Sequence, residues 1–541
     1  MGEGRLLVTA AEADLVFLGA TVEPLVALPR PAKAVAVAGG RIVAIGSDAE
    51  VRTLVGRRTE VVELDGESLL PGFQDAHIHP IEGGLLDDLC NLHDAIDASD
   101  CLATVSAYAS SHPRRPWVLG SGWPLTAFPR GEPTRDVLDE IVPDRPALLE
   151  SNDGHCAWVN ARALELAGID RSTPDPPDGR IVRDAHGAPA GTLLDGAVNL
   201  VLAAVPAPTH EELVAGLRTA QARLHRLGIT AWQDANVGSA NLAAYREAAS
   251  AGWLTARVVG ALWWERDAGL EQVERFEEDR VAGRVGRLRA DSVKIMLDGI
   301  LESRTAYLSA PYEGDDHRGT PFVEPEMLRE AVIELDRRGF QAHFHAIGDG
   351  AVRLALDAVE AARIANGPSD HRHHIAHLET IHPDDIARFA ALDVTANIQP
   401  FWAVDDDQMQ DLRLPVLGPE RARWQYTFGS LRRAGARLAG GSDWTVTTAN
   451  PLLEIEVAVT RVDPGRRGSA PFLPDERLTL DEALAAFTLG TAWVNHLDRE
   501  TGSIEVGKQA DLVLLDRDLR AAGTPIGEAS VRDTFVAGER V

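Results

Sequence analysis

Eight apolar, strand-like segments that alternate with helical stretches constrain the fold of this chain more than any other feature. The candidate strands span residues 72–79, 229–235, 255–263, 291–297, 339–345, 373–378, 393–398 and 436–442. Helical patterns at 325–338, 351–365 and 383–392 separate the later strands. Strands that alternate with helices form parallel sheets, and eight strands close a (β/α)8 barrel. We therefore predict an α/β protein with a TIM barrel over residues 71–499.

Short β-rich runs broken by glycine occur at both ends of the chain. They cover residues 13 to 70 and about the last forty residues. Neither end is long enough to form a stable sandwich alone. We predict that residues 1–70 and 500–541 together form one composite β-sandwich domain, with the barrel inserted in it.

About 150 residues separate the first two candidate strands. This is far more than one crossover needs. We therefore predict a subdomain over residues 80–228, inserted after the first barrel strand.

The charge and the cysteines exclude several classes of protein. The net charge of -29, from 82 acidic and 53 basic residues, argues against nucleic-acid and anionic membrane partners. Cys90, Cys101 and Cys156 show no CxxC spacing, which supports neither a disulfide framework nor a thiolate zinc site. The first residues lack the pattern of a secretion signal, and no apolar stretch reaches 18 residues. We expect a cytoplasmic protein.

His77 and His79 lie at the end of the first candidate strand. Alternate residues of an extended strand point to the same side, so both imidazoles face one point. Neutral imidazole is a good ligand for zinc and its neighbours in the transition series. Two histidines cannot hold a catalytic metal alone, so this hypothesis requires further ligands.

Further ligands stand at the ends of later candidate strands, where a barrel places its functional residues. They are Lys294, His345, His377 and Asp443. Imidazole and carboxylate suit divalent cations, and a hydroxide that bridges two such cations is a strong nucleophile at neutral pH. A protonated lysine would repel the cations, but burial lowers its pKa and lets Lys294 react with carbon dioxide to form a bridging carbamate. We expect two zinc ions, although manganese, iron and cobalt also accept these ligands. A structural Lys294 that pairs with Asp298 or Asp443 is the alternative.

Several neighbouring residues compete for these roles. His343 competes with His345 because both lie on one face of the strand, and we favour His345 because it is the last strand residue. His373 and His374 are expected to be exposed or to support the ligands. Asp75 is expected to hydrogen-bond a ligand imidazole or the strand end.

Motifs spread over nearly the whole chain carry a resemblance to a known family. They are residues 71–79, Gly122-Trp123, residues 153–160, Lys294 with Asp298-Gly299, residues 345–349, residues 372–377 and Gly441-Ser442-Asp443. This set resembles the amidohydrolase superfamily, and within it the YtcJ-like group that includes the N-substituted formamide deformylases. The resemblance implies that His77 and His79 bind one metal ion with Asp443. It also implies that His345 and His377 bind the other ion, and that carboxylated Lys294 bridges the two.

Two residues depart from the family pattern. Ala376 stands where an acidic residue usually precedes the ligand histidine, so support for that histidine must come from elsewhere. Asp195 stands where glutamate is common. Both departures concern substrate preference more than the fold.

The site chemistry and the resemblance predict a metal-dependent hydrolase that cleaves a C–N bond of an N-substituted amide or formamide through a metal-bridging hydroxide. Asp443 is expected to accept the proton of the water and deliver it to the leaving nitrogen. His155 and Arg304 are expected to orient or polarise the substrate. Trp123 and Trp444 are expected to line the substrate pocket, and the other tryptophans to be core residues. We expect a small-molecule amide as substrate and a homodimer as the assembly.

Other functions remain open, because one fold and one metal centre support many chemistries. They are hydrolysis of cyclic amides or esters, deamination, a lyase or isomerase reaction, and a non-catalytic scaffold. His155 is equally compatible with a structural position.

Overall fold

The computed structural model describes residues 12–28, 30–86, 89–521 and 523–541. The start of the chain, on which the expectation of no secretion signal rests, lies outside this range. Within these ranges, no helix has both the length and the apolar character needed to cross a membrane.

The N-terminal segment forms short strands joined by tight turns. These elements are β1 (Leu15–Leu18), β2 (Thr21–Val22), β3 (Ala34–Ala38), β4 (Arg41–Gly46), α1 (Asp48–Val51), β5 (Glu60–Glu63) and β6 (Ser68–Pro71). Four of them form a sheet in the order β4-β3-β1-β5. Gly39 and Gly40 make the turn between β3 and β4 at positive φ, which glycine adopts without steric strain.

A subdomain follows the first barrel strand, β7 (Phe73–Ile78). Its elements are α2 (Pro80–Leu85), β8 (Cys90–Asn91), α3 (Ala98–Ser111), β9 (Val118–Trp123), α4 (Arg135–Ile141), β10 (Ala147–Ser151), β11 (Cys156–Val159), α5 (Ala161–Leu166), β12 (Gly179–Arg183), β13 (Pro189–Asp195) and α6 (Val198–Leu202). The strands form one sheet in the order β12-β13-β11-β10-β9-β8. Alternation along β10 sends Leu148 and Leu149 into separate apolar clusters on the two faces. This subdomain is the large insertion expected after the first barrel strand.

The barrel contains eight parallel strands, one for each segment identified in the sequence. After β7 they are β14 (Ile229–Val237), β15 (Arg257–Trp263), β16 (Leu288–Met296), β17 (Gln341–Ala346), β18 (His374–His377), β19 (Thr395–Ile398) and β20 (Leu438–Gly440). Their hydrogen-bonded order follows the chain from β7 to β20. Hydrogen bonds also link β7 to the other end of this order. The side chain of Asn397 in β19 donates to the carbonyl of Ala76 at 2.9 Å, and the amide of Asp443, just after β20, donates to the carbonyl of His77 at 2.8 Å. The predicted TIM barrel is confirmed.

Helices surround and extend the barrel. They are α7 (His210–Arg226), α8 (Ser239–Ser250), α9 (Gln272–Ala282), α10 (Pro325–Arg337), α11 (Asp349–Asn366), α12 (Pro383–Ala391), α13 (Leu414–Arg421), α14 (Phe428–Arg433), α15 (Pro451–Thr460), α16 (Leu480–Ala485) and α17 (Thr491–Val494). Local sequence sets the start of α7, where Thr209 and Glu212 each accept a hydrogen bond from the backbone amide of the other. Such a capping box pairs amides that the helix leaves open.

The C-terminal strands complete the sandwich. They are β21 (Leu512–Leu515), β22 (Val531–Val536) and β23 (Glu539–Arg540). Strand β21 runs antiparallel to β6, in a sheet of order β2-β6-β21-β22-β23. Phe17 and Phe535 meet edge to face between the two sheets, with ring centroids 5.1 Å apart. The composite sandwich is confirmed, while the residue limits assigned to the three units stay predictions.

A buried ion pair joins the sandwich to the barrel. Arg257, the first residue of β15, donates to Asp511 at 2.7 Å through Nε and at 3.3 Å through Nη2. Asp511 also accepts a hydrogen bond from the amide of Ala537 at 2.8 Å. Each partner of the pair therefore comes from a different unit.

We expect Asp511→Ala to lower the free energy of unfolding by about 3 to 5 kcal/mol, because it leaves a buried guanidinium with only the half-exposed Glu500, 4.0 Å away, as its counter-ion. Urea denaturation followed by circular dichroism measures this loss. The control Glu60→Ala removes an ion pair with Arg540 in which both side chains are more than half exposed, and we expect a change below about 1 kcal/mol. Equal losses in the two variants would contradict the assignment.

Candidate metal centre

A cavity of about 1620 Å³ opens at the C-terminal ends of the barrel strands. The barrel contributes all six predicted metal ligands to its wall, namely His77, His79, Lys294, His345, His377 and Asp443. The insertion contributes others, including Gly122 and His155. This volume exceeds the roughly 300 to 1,000 Å³ of ordinary small-molecule pockets.

His77, His79 and Asp443 form the tightest group in this wall. One possible ligand atom from each residue lies within 4.8 Å of the others. The Nε2 atoms of His79 and His77 lie 3.0 and 3.3 Å from Oδ1 of Asp443. Asp443 has a φ of 53°, a strained backbone conformation for a residue with a side chain. Its position just beyond β20 brings it to the end of β7.

Lys294, His345 and His377 lie beside this group. Nζ of Lys294 is 3.5 Å from Nε2 of His77. The rings of His345 and His377 have centroids 4.4 Å apart, and Nδ1 of His377 is 3.8 Å from Oδ2 of Asp443. The fold therefore gathers all six predicted ligands at one end of the barrel.

Three of the four ligand imidazoles favour the neutral form that binds metal ions, whereas the pKa of His79 is raised because its hydrogen bond to Asp443 and the charge of Glu82 outweigh burial. Burial, and then the charge of Lys294, lowers the pKa of His77 to about 3. Burial lowers the pKa of His345 and His377 well below the ordinary value. Nδ1 of His79, Nε2 of His345 and Nδ1 of His377 are buried and have no hydrogen-bond partner within the described chain. Unpaired ring nitrogens beside a carboxylate fit a divalent cation.

Lys294 is also fully buried in this group. Burial lowers the pKa of its amine to about 8, although the negative charges of Asp443, Glu82 and Asp234 act to raise it. A larger fraction of the amine is therefore unprotonated near neutral pH than for an exposed lysine.

His343, the alternative to His345, lies behind the group and is fully buried. Its Nε2 is 2.8 Å from Nδ1 of His77. Such a bond holds the ring of a metal ligand in position. Asp75 accepts hydrogen bonds from the amides of His77 and Ser442, so it joins the ends of the first and last strands.

His373 and His374 are both fully buried, so neither is exposed. Nε2 of His373 lies 3.1 Å from Asp336, and Nδ1 of His374 lies 3.1 Å from the amide nitrogen of Asn397. The first contact joins the start of β18 to helix α10, and the second joins the neighbouring strands β18 and β19.

His155 lines the cavity and pairs with Asp195. Its Nδ1 lies 2.7 Å from Oδ1 of Asp195. Burial disfavours the charged ring, but the hydrogen bond and the charge of Asp195 outweigh burial and raise the pKa of His155 to about 9. The imidazolium keeps Nε2–H as a donor for an acceptor in the cavity. The sequence singled out Asp195 as a departure from the family pattern without identifying this partner.

Arg304 does not line the cavity within the described ranges, contrary to the sequence-based expectation. Its half-exposed side chain donates to Asp315 at 2.9 Å in the segment after β16. This local partner holds the guanidinium outside the cavity wall.

Trp123 is likewise a core residue of the insertion and not a pocket residue. Its ring is fully buried, and Nε1 donates to the carbonyl of Leu149 at 2.8 Å. Successive residues of an extended chain face opposite sides, so its neighbours Gly122 and Pro124 line the cavity instead.

Trp444 lines the cavity, as expected from its position beside Asp443. Trp263 and Trp402 also line it, although the sequence favoured core positions for both. The ring of Trp402 stacks on His377, with centroids 5.2 Å apart and planes 8° apart. The position of Trp402 just after β19, at the functional end of the barrel, was the sequence feature that could have identified it as a cavity residue.

The sequence also left three buried charged residues of the wall unassigned. Arg413 donates through Nε to Glu302, and its Nη2 lies 3.7 Å from Oε1 of Glu379. Nη1 of Arg413 donates to the hydroxyl of Tyr426 at 2.6 Å. We call Glu302, Glu379 and Arg413 the acid–arginine cluster. Within this cluster, Glu379 was the one residue whose sequence position, two residues after His377 at a strand end, could have indicated that it lines the cavity.

Comparisons with known proteins agree with this fold. The model of the amidohydrolase family matches residues 60–541. YtcJ of Bacillus subtilis is 30% identical over 494 residues, which cover 90% of this chain and 91% of that protein. An N-substituted formamide deformylase of Arthrobacter pascens is 28% identical, with 97% of each chain covered. The crystal structure of an uncharacterized metal-dependent hydrolase from Pyrococcus furiosus gives a TM-score of 0.71 at 26% identity, covering 93% of this chain and 99% of that one.

We expect His343→Ala to weaken zinc binding about 10- to 100-fold, because the ring of His77 loses the hydrogen bond that orients it. Titration of metal-free protein against a chromophoric zinc chelator measures the affinity. The control His225→Ala removes a buried histidine whose partners are the carbonyl of Ile229 and the hydroxyl of Thr255, and we expect it to keep the wild-type affinity. Wild-type affinity in His343→Ala would refute the orienting role.

Proposed function

The chain belongs to the amidohydrolase family, and from this premise we propose that it is a metal-dependent hydrolase that cleaves the C–N bond of an N-substituted amide or formamide. The observation that carries the proposal is the group formed by His77, His79 and Asp443 in the cavity wall. Similarity to an N-substituted formamide deformylase supports this bond class. Trp402 and Trp444 in the wall suit an apolar part of the substrate.

The six residues of the wall divide into ligands for two divalent ions. His77, His79 and Asp443 would hold one ion, and His345 and His377 the other. Lys294 would lie between them as a carbamate, which its lowered pKa supports because only the free amine reacts with carbon dioxide. Zinc is our first choice, and manganese, iron and cobalt accept the same ligands. When bound, the ions supply the Lewis acidity that activates water and polarises a carbonyl group.

Asp443 is the residue best placed to move a proton. Burial alone would raise its pKa, but the rings of His77 and His79, which lie within hydrogen-bond distance of its carboxylate, outweigh burial and hold that pKa well below the ordinary value. The carboxylate is therefore ionised at neutral pH. In this mechanism it accepts a proton from water and then protonates the leaving nitrogen.

His155 is the residue best placed to orient the substrate carbonyl. Asp195 fixes its Nδ1 at 2.7 Å, so Nε2–H can donate to the carbonyl oxygen. A preorganised donor of this kind stabilises the negative charge that develops on that oxygen.

We expect Asp443→Asn to lower kcat for N-benzylformamide by about 10²- to 10⁴-fold, because the amide cannot accept the proton. Release of formate and benzylamine by the metal-loaded protein measures the rate, and labelled solvent oxygen in the formate identifies hydrolysis. The control Asp315→Asn removes the exposed partner of Arg304 and should retain wild-type kcat. Full kcat in Asp443→Asn at wild-type metal content would refute the role of Asp443. Turnover of esters or aminated heterocycles in place of amides would refute the proposed bond class.

We expect Asp195→Asn to lower kcat/KM by roughly 10²- to 10³-fold at unchanged metal content, because His155 loses the partner that keeps it protonated and in place. His155→Gln should cause a loss of similar size. Since the two residues act as one unit, the double variant should lose little more than either single variant. Additive losses would show that they act independently.

A further inference from the structure

The acid–arginine cluster leaves two acceptor atoms without a partner. Glu302 and Glu379 both line the cavity, and their side chains are only 3% and 2% exposed. Oε2 of each residue lacks a hydrogen-bond partner in the part of the chain that the structure describes. The other oxygen of Glu302 accepts from Arg413 and, at 2.6 Å, from Gln408. A buried carboxylate oxygen without a donor is costly, and a donor from outside the chain would remove that cost.

The surroundings of Glu302 are acidic as well. Its charge acts on Glu379, on Asp153 and on Asp406, which all line the same cavity. Arg413 is the cation that faces Glu302, Glu379 and Asp406. Oδ2 of Asp153 is a further buried acceptor with no partner among the described residues. Arg413 and the imidazolium of His155, which acts on Asp153, are the cations beside these four carboxyl groups. The carboxyl groups outnumber the cations, so this part of the wall favours a positive ligand.

The geometry of the cluster suits N–H donors better than a bare metal ion. Arg413 already binds one oxygen of Glu302 and faces one oxygen of Glu379, which leaves two separate acceptors. Glu379 follows His377 by two residues in the chain, and Trp402 stacks on the ring of His377. An aromatic face also attracts a cation. The cavity has ample volume for a group beyond the scissile amide.

We propose that Glu302 and Glu379 form a subsite that binds a positively charged nitrogen of the substrate, such as a primary ammonium group. The proposal rests on the proposed function in one respect, that the ligand is an amide substrate. The favoured substrates are then N-substituted amides whose substituent carries an ammonium group beyond its apolar part. The subsite selects among amides, while the candidate metal centre cleaves them.

Two matched formamides test this selection. One is the mono-N-formyl derivative of 4-(aminomethyl)benzylamine, and the other is N-formyl-4-ethylbenzylamine, in which an ethyl group replaces the ammonium arm. We expect wild-type kcat/KM to be about 10- to 100-fold higher for the ammonium substrate, mainly through KM, because a charged donor meets buried carboxylate acceptors. Glu302→Gln and Glu379→Gln should each bring this ratio towards one.

Glu456→Gln serves as the matched control. Glu456 is a buried glutamate of α15 that pairs with Arg467 and lies outside the residues that line the cavity. Loss of a buried carboxylate there should leave the substrate ratio at its wild-type value. A ratio that falls equally in Glu456→Gln would overturn the assignment to Glu302 and Glu379.

Binding of benzylammonium and benzyl alcohol to the metal-loaded protein, measured by calorimetry, separates the subsite from the reaction. In one outcome, neither formamide is hydrolysed, but benzylammonium binds at least about 10-fold more tightly than the alcohol and Glu302→Gln removes this difference. This result would support the subsite and refute amide hydrolysis. In another outcome, both formamides are hydrolysed with equal kcat/KM, and the wild type binds benzylammonium no more tightly than benzyl alcohol. This result would overturn the subsite and support amide hydrolysis. An amine that bound a metal ion instead would bind Glu302→Gln as tightly as the wild type, which also overturns the subsite. The wild-type comparison decides the question even if a variant does not fold.

Discussion

Hydrogen bonds between the first and last barrel strands determine where the candidate metal centre can form. The amide of Asp443 donates to the carbonyl of His77 at 2.8 Å, and Asp75 accepts from the amide of Ser442. A Cβ atom on Gly441 would lie 2.8 Å from the backbone nitrogen of His77, so this approach requires glycine. The chain thereby brings His79 within hydrogen-bond distance of a carboxylate 364 positions away. The pairing of neighbouring strands sets the register of the other proposed ligands, Lys294, His345 and His377.

The unpaired ring nitrogens of the centre oppose folding unless a ligand is present. Several buried ring nitrogens have no partner in the described structure, and Asp443 stays ionised in a buried position. The unpaired nitrogens cost free energy in a chain without its ions, whereas the lowered pKa of Asp443 indicates that the neighbouring histidines stabilise its charge in the folded state. Cations that bind only the folded state would repay this cost and stabilise the barrel. The proposed ions would therefore stabilise the fold through the same residues that fit the proposed chemistry.

The sequence predicted the barrel strands and the ligands at their ends, because these follow from local periodicity. It did not predict which side chains of the insertion and the loops reach the cavity. All eight barrel strands were identifiable because apolar runs and helical spacing are local properties, and alternation along β7 sends His77 and His79 to one side. Trp123 was misassigned because its strand turns the ring into the core of the insertion, which no local pattern reveals. Arg304 was misassigned because its exposed partner, Asp315, lies in an irregular segment. The acid–arginine cluster joins segments that follow three different strands, so only the folded barrel brings them together.

The proposed chemistry and the proposed specificity belong to different parts of the chain. Strand ends hold the candidate metal ligands, and their positions are fixed by the hydrogen-bonded ladder of the barrel. The segments that follow β16 and β19 hold Glu302 and Arg413, and the insertion supplies His155 and Asp195. Loop segments accept substitutions more readily than strands do, so substrate preference can change while the centre stays intact. Asp195 fits this division, because a glutamate there would extend the carboxylate by one methylene and displace the ring of His155 from its 2.7 Å hydrogen bond.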